Sequence, residues 1–254
     1  MSARCAAIVL AAGAGTRMSS DLPKPLHPVA GRAMVLRLLD TLAAADAGPV
    51  IVVIGHEADR VRKEVRSGAP QPERLIFATQ PQQLGTGDAA RVGLDALGEV
   101  PEASDVLVLP GDTPLLRPET LTRIVAIRRR DGAAASLLTA RLDDPTGYGR
   151  IVRSDSGITI VEQRDASPAE SQIDEINAGV YCFDLAQLRH VLPQLRPTNA
   201  ASEYYLTDAI DLLARSGQSI AAMTLNDPSE AMGVNDAAQL AACEAVLAAR
   251  PSPS

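Results

Sequence analysis

The fold of this 254-residue chain is decided by residues 6–18, A-A-I-V-L-A-A-G-A-G-T-R-M. The apolar run Ala6–Leu10 is typical of a buried strand, and Gly13 and Gly15 follow it closely. Glycine adopts backbone conformations that other residues avoid, and it lets the main chain approach a ligand closely. A strand that leads directly into such a turn indicates the ligand-binding edge of an open α/β sheet. The alternative is a plain tight turn.

Short apolar runs alternate with helical patterns along the first 142 residues. Strands are predicted at Ala6–Leu10, Val50–Ile54, Leu75–Thr79 and Val106–Leu109, and helices at about Ala33–Ala45, Glu57–Arg66, Thr86–Leu97 and Glu119–Arg129. The run V-I-V-V-I at residues 50–54 is β-branched throughout, which indicates a strand buried on both faces. We therefore predict an α/β fold with a Rossmann-like, doubly wound and mostly parallel sheet.

The pattern changes after about residue 140. Strands joined by polar turns are predicted at Gly147–Val152, Ile158–Gln163 and Ile176–Phe183, followed by helices at about Leu185–Leu192, Glu203–Arg215 and Asp236–Ala249. This second pattern indicates a small antiparallel lobe added to the parallel sheet. We expect one domain over residues 1–254, made of a first half (about 1–142), a second half (about 143–235) and a C-terminal helix and tail (236–254). The best candidate for a seam between the halves is Asp143–Gly147.

The composition argues against several classes of protein. A net charge of −7 disfavours a nucleic-acid partner, which usually requires a basic excess. The cysteines Cys5, Cys182 and Cys243 lie far apart, which disfavours a disulfide framework and a zinc site. No apolar run approaches the roughly 18 residues of a membrane span, and the N-terminus lacks the pattern of a signal peptide. We expect a cytoplasmic protein without a membrane partner.

The glycine turn differs from the two common phosphate-binding loops. A dinucleotide-binding fingerprint, G-x-G-x-x-G, would need a third glycine where Met18 stands, and a P-loop, G-x-x-x-x-G-K-[ST], is absent. Instead Arg17 follows the glycines, and Lys24 lies seven residues later in L-P-K-P-L. The prolines on both sides of Lys24 predict a stiff, extended segment that holds one ammonium at a fixed point. The alternative is a solvated surface lysine.

These two motifs resemble a known family. L-A-A-G-x-G-T-R-M followed by L-P-K-P-L is similar to the signature of sugar-1-phosphate nucleotidyltransferases, and the seven-residue step from Arg17 to Lys24 resembles the bacterial N-acetylglucosamine-1-phosphate uridyltransferase branch. The molybdenum-cofactor guanylyltransferases resemble only the first half of the chain. The resemblance implies a nucleotide-diphospho-sugar transferase fold, with the nucleotide in the first half and the sugar in the second. It also implies that Arg17 and Lys24 are the catalytic cations.

A later segment agrees with this resemblance. Residues 80–89, Q-P-Q-Q-L-G-T-G-D-A, resemble the uracil-reading segment of the family, with Asp88 where many members have histidine. The side chain of Gln80 can donate to and accept from a base edge, whereas Thr86 could equally be a helix cap. The nucleotide-binding residues implied by the resemblance are Ala11, Ala12, Gly13, Gly15, Gln80, Gly85 and Thr86.

A divalent ion is expected between the phosphates. Asp112 follows a predicted buried strand in L-P-G-D-T, and carboxylate oxygens are ligands that Mg²⁺ prefers. The resemblance implies Asp112 as the first metal ligand and Asn235, in G-V-N-D, as the second. The alternatives are a turn aspartate at residue 112 and a helix N-cap at residue 235.

The second half carries four further motifs. D-P-x-G-Y-G-R, V-E-x-x-D-A, E-I-N-x-G and E-Y-Y-x-T-D lie at residues 144–150, 161–166, 175–179 and 203–208. A sugar needs paired donors and acceptors when it is buried. The resemblance implies the sugar-binding residues Gly149, Glu162, Asn177, Tyr205 and Thr207.

The resemblance implies an enzyme that joins UTP and N-acetylglucosamine 1-phosphate and releases pyrophosphate. Its product would be UDP-N-acetylglucosamine, a precursor of cell wall and lipopolysaccharide. Glucose 1-phosphate, dTTP or a catalytically silent sensor of nucleotide sugars stay open as alternatives. The bifunctional members of the branch continue into a left-handed β-helix acetyltransferase. Because residues 1–254 contain no hexapeptide repeat, we expect neither acetyl transfer nor the β-helix trimer.

Overall fold

The fold is organised around one central sheet. The computed structural model describes residues 4–13, 15, 18, 20–99, 103–154 and 157–250. Within this part of the chain, nine strands form the central sheet and two more form a separate antiparallel ribbon. None of the helices in the same part is long and apolar enough to cross a membrane.

Strands and helices follow one another along the chain. The strands are β1 (Arg4–Ala11), β2 (Pro28–Val29), β3 (Arg32–Ala33), β4 (Val50–Ile54), β5 (Leu75–Thr79), β6 (Ala103–Pro110), β7 (Ala135–Arg141), β8 (Arg150–Ser154), β9 (Gly157–Val161), β10 (Glu175–Asp184) and β11 (Ile220–Thr224). The helices are α1 (Met34–Ala44), α2 (Ala58–Gly68), α3 (Thr86–Leu97), α4 (Pro118–Asp131), α5 (Leu185–Val191), α6 (Thr207–Arg215) and α7 (Ala237–Ala249). The observed bounds of β4, β5 and α3 equal the predicted ones.

The central sheet is mostly parallel, in the order β11–β7–β10–β6–β1–β4–β5. Strand β1 is parallel to both neighbours, and Ala7 lies opposite Val50 on one side and Leu107 on the other. Strand β10 runs antiparallel between β6 and β7. An antiparallel hairpin of β8 and β9 joins the sheet at β10. The two halves of the sequence therefore share one sheet.

Two apolar layers cover the faces of the sheet. One contains Leu94 of α3, Leu188 of α5 and Ile210 of α6. The other contains α1, α2 and α4, whose buried side chains include Leu38, Val61 and Leu121. This arrangement of helix, sheet and helix confirms the predicted doubly wound α/β fold with its small antiparallel addition.

Besides shifts of element ends, three features differ from the predictions. Strands β7 and β11 are absent from the predicted elements, because their sequences, A-S-L-L-T-A-R and I-A-A-M-T, carry no clear strand pattern. Helix α6 begins at Thr207 instead of residue 203, since residues 204–206 bond to the loop before α3. The segment at Lys24 is not extended, because Lys24–Leu26 form a single 3₁₀ turn that the Leu26 N–H closes on the Pro23 carbonyl at 2.9 Å.

Candidate functional site

Three residues that are far apart in sequence meet at the carboxyl edge of the sheet. The Lys24 ammonium donates to Asp112 Oδ2 and, at 2.8 Å, to Asn235 Oδ1. The side chains of Lys24 and Asp112 are only 15% and 21% exposed. The site thus brings together one predicted catalytic cation and both predicted metal ligands. The other predicted cation, Arg17, lies outside the described residues.

Neighbouring backbone fixes the two oxygen-bearing residues. Asp112 follows β6, and its carbonyl accepts from the Val234 N–H at 3.0 Å. Asp236 is the N-cap of α7, because its Oδ1 accepts from the Gln239 N–H at 2.9 Å. In turn, Gln239 Oε1 accepts from the Asn235 N–H at 2.7 Å. The cap therefore belongs to Asp236, and the side chain of Asn235 is directed to Lys24.

Gly15 makes room for Lys24. Its φ is +62°, and a Cβ at this position would lie 2.5 Å from Lys24 Cβ. Real carbon atoms do not approach so closely without a shift of one of them. Gly15 therefore contacts the lysine, whereas Ala11, Ala12 and Gly13 line the adjacent cavity.

We expect Gly15→Ala to displace Lys24 and to lower kcat by about 10-fold or more, since a misplacement of about 1 Å near the chemistry can cost still more. Gly31→Ala is the matched control, because Gly31 also has a positive φ, +76°, but its Cβ would meet nothing within 4 Å. Both variants place a Cβ at a positive φ, so Gly31→Ala measures the stability lost to that strain alone in thermal melts, and Gly15→Ala adds the contact with Lys24. Equal turnover in the two variants would rule out a role of Gly15 in holding Lys24.

A cavity of about 320 Å³ opens beside this cluster. It is lined by the predicted nucleotide-binding residues Ala11, Ala12, Gly13, Gln80, Gly85 and Thr86. Gln83 and Glu203 also line it. Gln83 Nε2 donates to the Ala12 carbonyl at 2.8 Å, so it ties the loop after β5 to the glycine turn. Sequence reasoning missed both residues, although each lies inside a motif that it used.

Gly85 and Thr86 join the two halves of the site. Gly85 has a φ of +109°, and a Cβ there would lie 2.5 Å from the Tyr204 carbonyl oxygen. The Thr86 hydroxyl accepts from the Leu206 N–H at 3.0 Å. Gly85 is the N-cap of α3 and no side chain caps this helix, so the capping alternative for Thr86 does not apply.

A second cavity, of about 230 Å³, is also lined by Asp112. It is lined by Gly149, Glu162, Asn177 and Thr207, which are four of the five predicted sugar-binding residues. The Thr207 hydroxyl donates to Glu162 Oε1 at 3.1 Å. Tyr205, the fifth, is partly exposed and does not line either of these two cavities.

Other side chains complete the second cavity. Asn177 Nδ2 donates to the hydroxyl of Tyr181 at 2.6 Å, and its Oδ1 accepts from the Gly179 N–H at 3.1 Å. Tyr148 and Thr113 also line this cavity. Tyr148 lies in a motif used for the sequence prediction. The sequence offered no reason to place Tyr181 at a site, because it lies within an apolar strand pattern and would be interpreted as a core residue of β10.

The two cavities adjoin at shared walls, formed by Leu10, Thr86, Pro110 and Asp112. A ligand that filled both would pass Asp112 and Lys24 where they meet. The site can therefore hold two groups at a charged junction.

Comparison with known proteins identifies the family. The profile of the MobA-like NTP transferase domain matches residues 7–166, which is well over half of the chain. The chain belongs to this family. The match begins in β1 and ends after β9, so it includes Lys24, Asp112 and the loop before α3.

Curated relatives extend the similarity beyond that match. The bifunctional protein GlmU of Pelobacter propionicus is 45% identical over 247 residues, or 96% of this chain and 52% of the relative. The GlmU proteins of Pelotomaculum thermopropionicum and Trichlorobacter lovleyi are 47% and 48% identical with the same coverage. The chain thus spans about half the length of these relatives. The predicted resemblance to nucleotidyltransferases is confirmed.

A solved structure has the same fold. A putative glucose-1-phosphate thymidylyltransferase from Bacillus anthracis, in complex with a sucrose, superposes with a TM-score of 0.78 and covers 98% of both chains. At 20% identity, this similarity supports the fold alone.

The oxygens at the junction suit a hard divalent cation. The ammonium of Lys24 already bridges Asp112 Oδ2 and Asn235 Oδ1, so this pair of oxygens accommodates a positive charge. In the described part of the chain, no three side chains of histidine, cysteine, aspartate or glutamate cluster to hold a metal. A cation that keeps several waters and takes further oxygens from phosphates needs only one or two protein ligands. The residues present therefore fit such a cation.

Glu162 lies in an unfavourable environment for charge. Burial raises its pKa, the hydrogen bond from Thr207 lowers it, and Asp165 and Asp208 raise it further. A carboxyl group with a raised pKa stabilises the fold below its unfolded-state pKa, and this contribution is lost as the pH rises through the raised value.

We therefore expect Glu162→Gln to melt above wild type at pH 8, by about 2 °C or more. The gap in Tm should shrink towards pH 4, because protonation of the wild-type carboxyl removes the buried charge from the folded state. Glu64→Gln, at an exposed position of α2, is the control, and its difference in Tm from wild type should not change with pH. A gap for Glu162→Gln that stays constant from pH 4 to pH 8 would contradict the argument.

Proposed function

We propose that the chain transfers a uridylyl group from UTP to N-acetylglucosamine 1-phosphate, forming UDP-N-acetylglucosamine and pyrophosphate. The observation that carries this proposal is the pair of adjoining cavities with Lys24, Asp112 and Asn235 at their junction. One cavity is lined by the residues predicted for the nucleotide and the other by those predicted for the sugar. Transfer between two bound groups requires this side-by-side arrangement.

The proposed reaction is an in-line displacement. An oxygen of the sugar phosphate forms a bond to the α-phosphorus, and the bond from that phosphorus to the bridging oxygen breaks. Pyrophosphate departs with the electron pair. The sugar phosphate is already an anion near neutral pH, so the protein supplies position and positive charge, and no general base is needed. Lys24 and Arg17 are the proposed cations for the triphosphate.

We further propose that Mg²⁺ is the divalent ion and that Asp112 and Asn235 hold it. When bound, it would neutralise phosphate charge. The second cavity is proposed to hold the sugar through the hydrogen-bonding groups of Glu162, Asn177 and Thr207, with Tyr205 close by. A cytoplasmic location, where nucleoside triphosphates are abundant, belongs to the same proposal.

The choice of substrates rests on the motifs and on the similarity to the GlmU proteins across 96% of the chain. These relatives are bifunctional and about twice as long. The proposal therefore concerns only nucleotidyl transfer, which is the chemistry that the family and the two cavities support.

The test is pyrophosphate release by the purified chain with Mg²⁺, from pairs of UTP, dTTP, CTP or GTP with N-acetylglucosamine 1-phosphate or glucose 1-phosphate. We expect the highest kcat/KM for UTP with N-acetylglucosamine 1-phosphate. A higher kcat/KM with glucose 1-phosphate or dTTP would replace the proposed substrates. If calorimetry detects UDP-N-acetylglucosamine binding but no pair reacts, the protein is a sensor and not an enzyme.

A further inference from the structure

Gln80 presents one amide group to the first cavity. It follows β5, its backbone N–H donates to the Ile54 carbonyl at 2.8 Å, and the residue is only 5% exposed. Its side-chain nitrogen, Nε2, donates to Asp88 Oδ2 at 2.7 Å and to the Gly85 carbonyl at 3.3 Å. Both contacts lie on the same end of the amide.

The chemistry of these partners fixes the orientation of the amide. A backbone carbonyl and a carboxylate offer only acceptors, so the atom that faces them must be the nitrogen donor of Gln80. The amide oxygen, Oε1, then lies at the other end. Among the described residues, no donor forms a hydrogen bond with it. Because Gln80 lines the cavity, this oxygen is its polar group for a ligand there.

Asp88 is itself held in place. It lies in the first turn of α3, is 5% exposed, and its second oxygen accepts from Arg91 Nη2 at 2.5 Å. A guanidinium can only donate. Gln80 and Arg91 therefore both donate to the carboxylate of Asp88, one to each oxygen, and Asp88 acts only as an acceptor.

We propose that Asp88 is a positioning residue that sets the base specificity of the nucleotide site through Gln80. With the amide nitrogen held by Asp88, the amide oxygen faces the cavity and selects a base that presents a ring N–H, as uracil does. Cytosine has an unprotonated ring nitrogen at the same position, so two acceptors would face each other. This inference rests on the proposed uridylyl transfer and names the group that orients its base-reading residue.

The variant Asp88→Asn tests the proposal. It keeps the shape but adds an amide donor, so the amide of Gln80 can turn over and present its nitrogen to the cavity. We expect wild type to bind UTP about 10²-fold more tightly than CTP, which is the range for an unpaired buried polar group. The variant should reduce this ratio by about 10-fold. It should also raise KM for UTP more than it lowers kcat.

Asp95→Asn is the matched control, because Asp95 lies exposed on the same helix and its replacement removes the same charge. Asp95→Asn should keep the wild-type ratio of UTP affinity to CTP affinity. An unchanged ratio of UTP to CTP affinity in Asp88→Asn overturns the inference. Binding by calorimetry separates this inference from the proposed function, since the ratio is measurable even if no sugar phosphate reacts. Turnover of UTP with an unchanged ratio in the variant would keep the function and discard the inference.

A measurement on the wild type does not depend on how the variant folds. With ¹⁵N-labelled glutamine, the side-chain NH₂ of Gln80 should exchange with water at least about 10-fold more slowly than that of Gln82. Gln82 is exposed, and its side chain forms no hydrogen bond within the described part of the chain. Equal exchange rates would overturn the fixed orientation.

Discussion

Lys24→Met lowers kcat for pyrophosphate release by about 10²-fold or more, which is the expected effect of removing one charge that acts in the transition state. The structure gives Lys24 no substitute among the lysines, since the only other one in the sequence, Lys63, is exposed on α2. Methionine keeps the length of the side chain and removes the ammonium. Steady-state kinetics with saturating substrates is the measurement.

The control for this variant is Lys63→Met, which should retain wild-type kcat. A second measurement separates the effect of the lost lysine charge from an effect on metal binding. Because the ammonium of Lys24 contacts the same oxygens of Asp112 and Asn235 that are proposed for Mg²⁺, its removal should not weaken the metal in a titration without nucleotide. If Lys24→Met turns over like wild type, the proposed role of Lys24 is wrong.

Asp112→Asn is expected to have the second large effect. It replaces the carboxylate that lies in the shared, described walls of the two cavities with a neutral amide, so the negative charge beside Lys24 and Asn235 is lost. We expect the Mg²⁺ concentration at half-maximal activity to rise by about 10-fold or more, and kcat at saturating Mg²⁺ to fall by about 10²-fold. A titration of activity against Mg²⁺ measures both quantities.

The control is Asp59→Asn, because the side chain of Asp59 is 97% exposed on α2 and lies outside the residues that line the two cavities. This variant should leave the Mg²⁺ concentration at half-maximal activity and kcat unchanged. A normal Mg²⁺ requirement in Asp112→Asn would exclude Asp112 as a ligand, and the junction would then need a different explanation.

The two cavities also explain why the motifs are spread over the whole chain. Strand β10 comes from the second half but lies between β6 and β7, so both halves contribute to one edge of the sheet. The segment before α6 then bonds to the loop before α3 through Tyr204 and Leu206. The wall between the two cavities is thus held by contacts between residues that are more than 100 positions apart.

Much of the fold could be predicted because its signals are local. The strand Val50–Ile54 is apolar on both faces, and the helix Thr86–Leu97 follows a glycine with a positive φ, so both were bounded correctly. Strands β7 and β11 could not be predicted. Their sequences mix small, polar and apolar side chains without a clear alternation. These segments form strands only because neighbouring strands offer hydrogen-bond partners.

The sequence by itself determined the chemistry of the site: a glycine turn after a buried strand, a lysine between prolines, an aspartate after another strand, and a set of polar motifs. These are properties of short segments, and residue type and spacing carry them. The tertiary structure alone decided which of these groups touch. It placed Lys24 between Asp112 and Asn235, gave Gly15 the task of making room for that lysine, and turned the amide of Gln80 towards Asp88. Such contacts depend on the order of strands and on backbone hydrogen bonds between distant segments, and no local pattern encodes either of them.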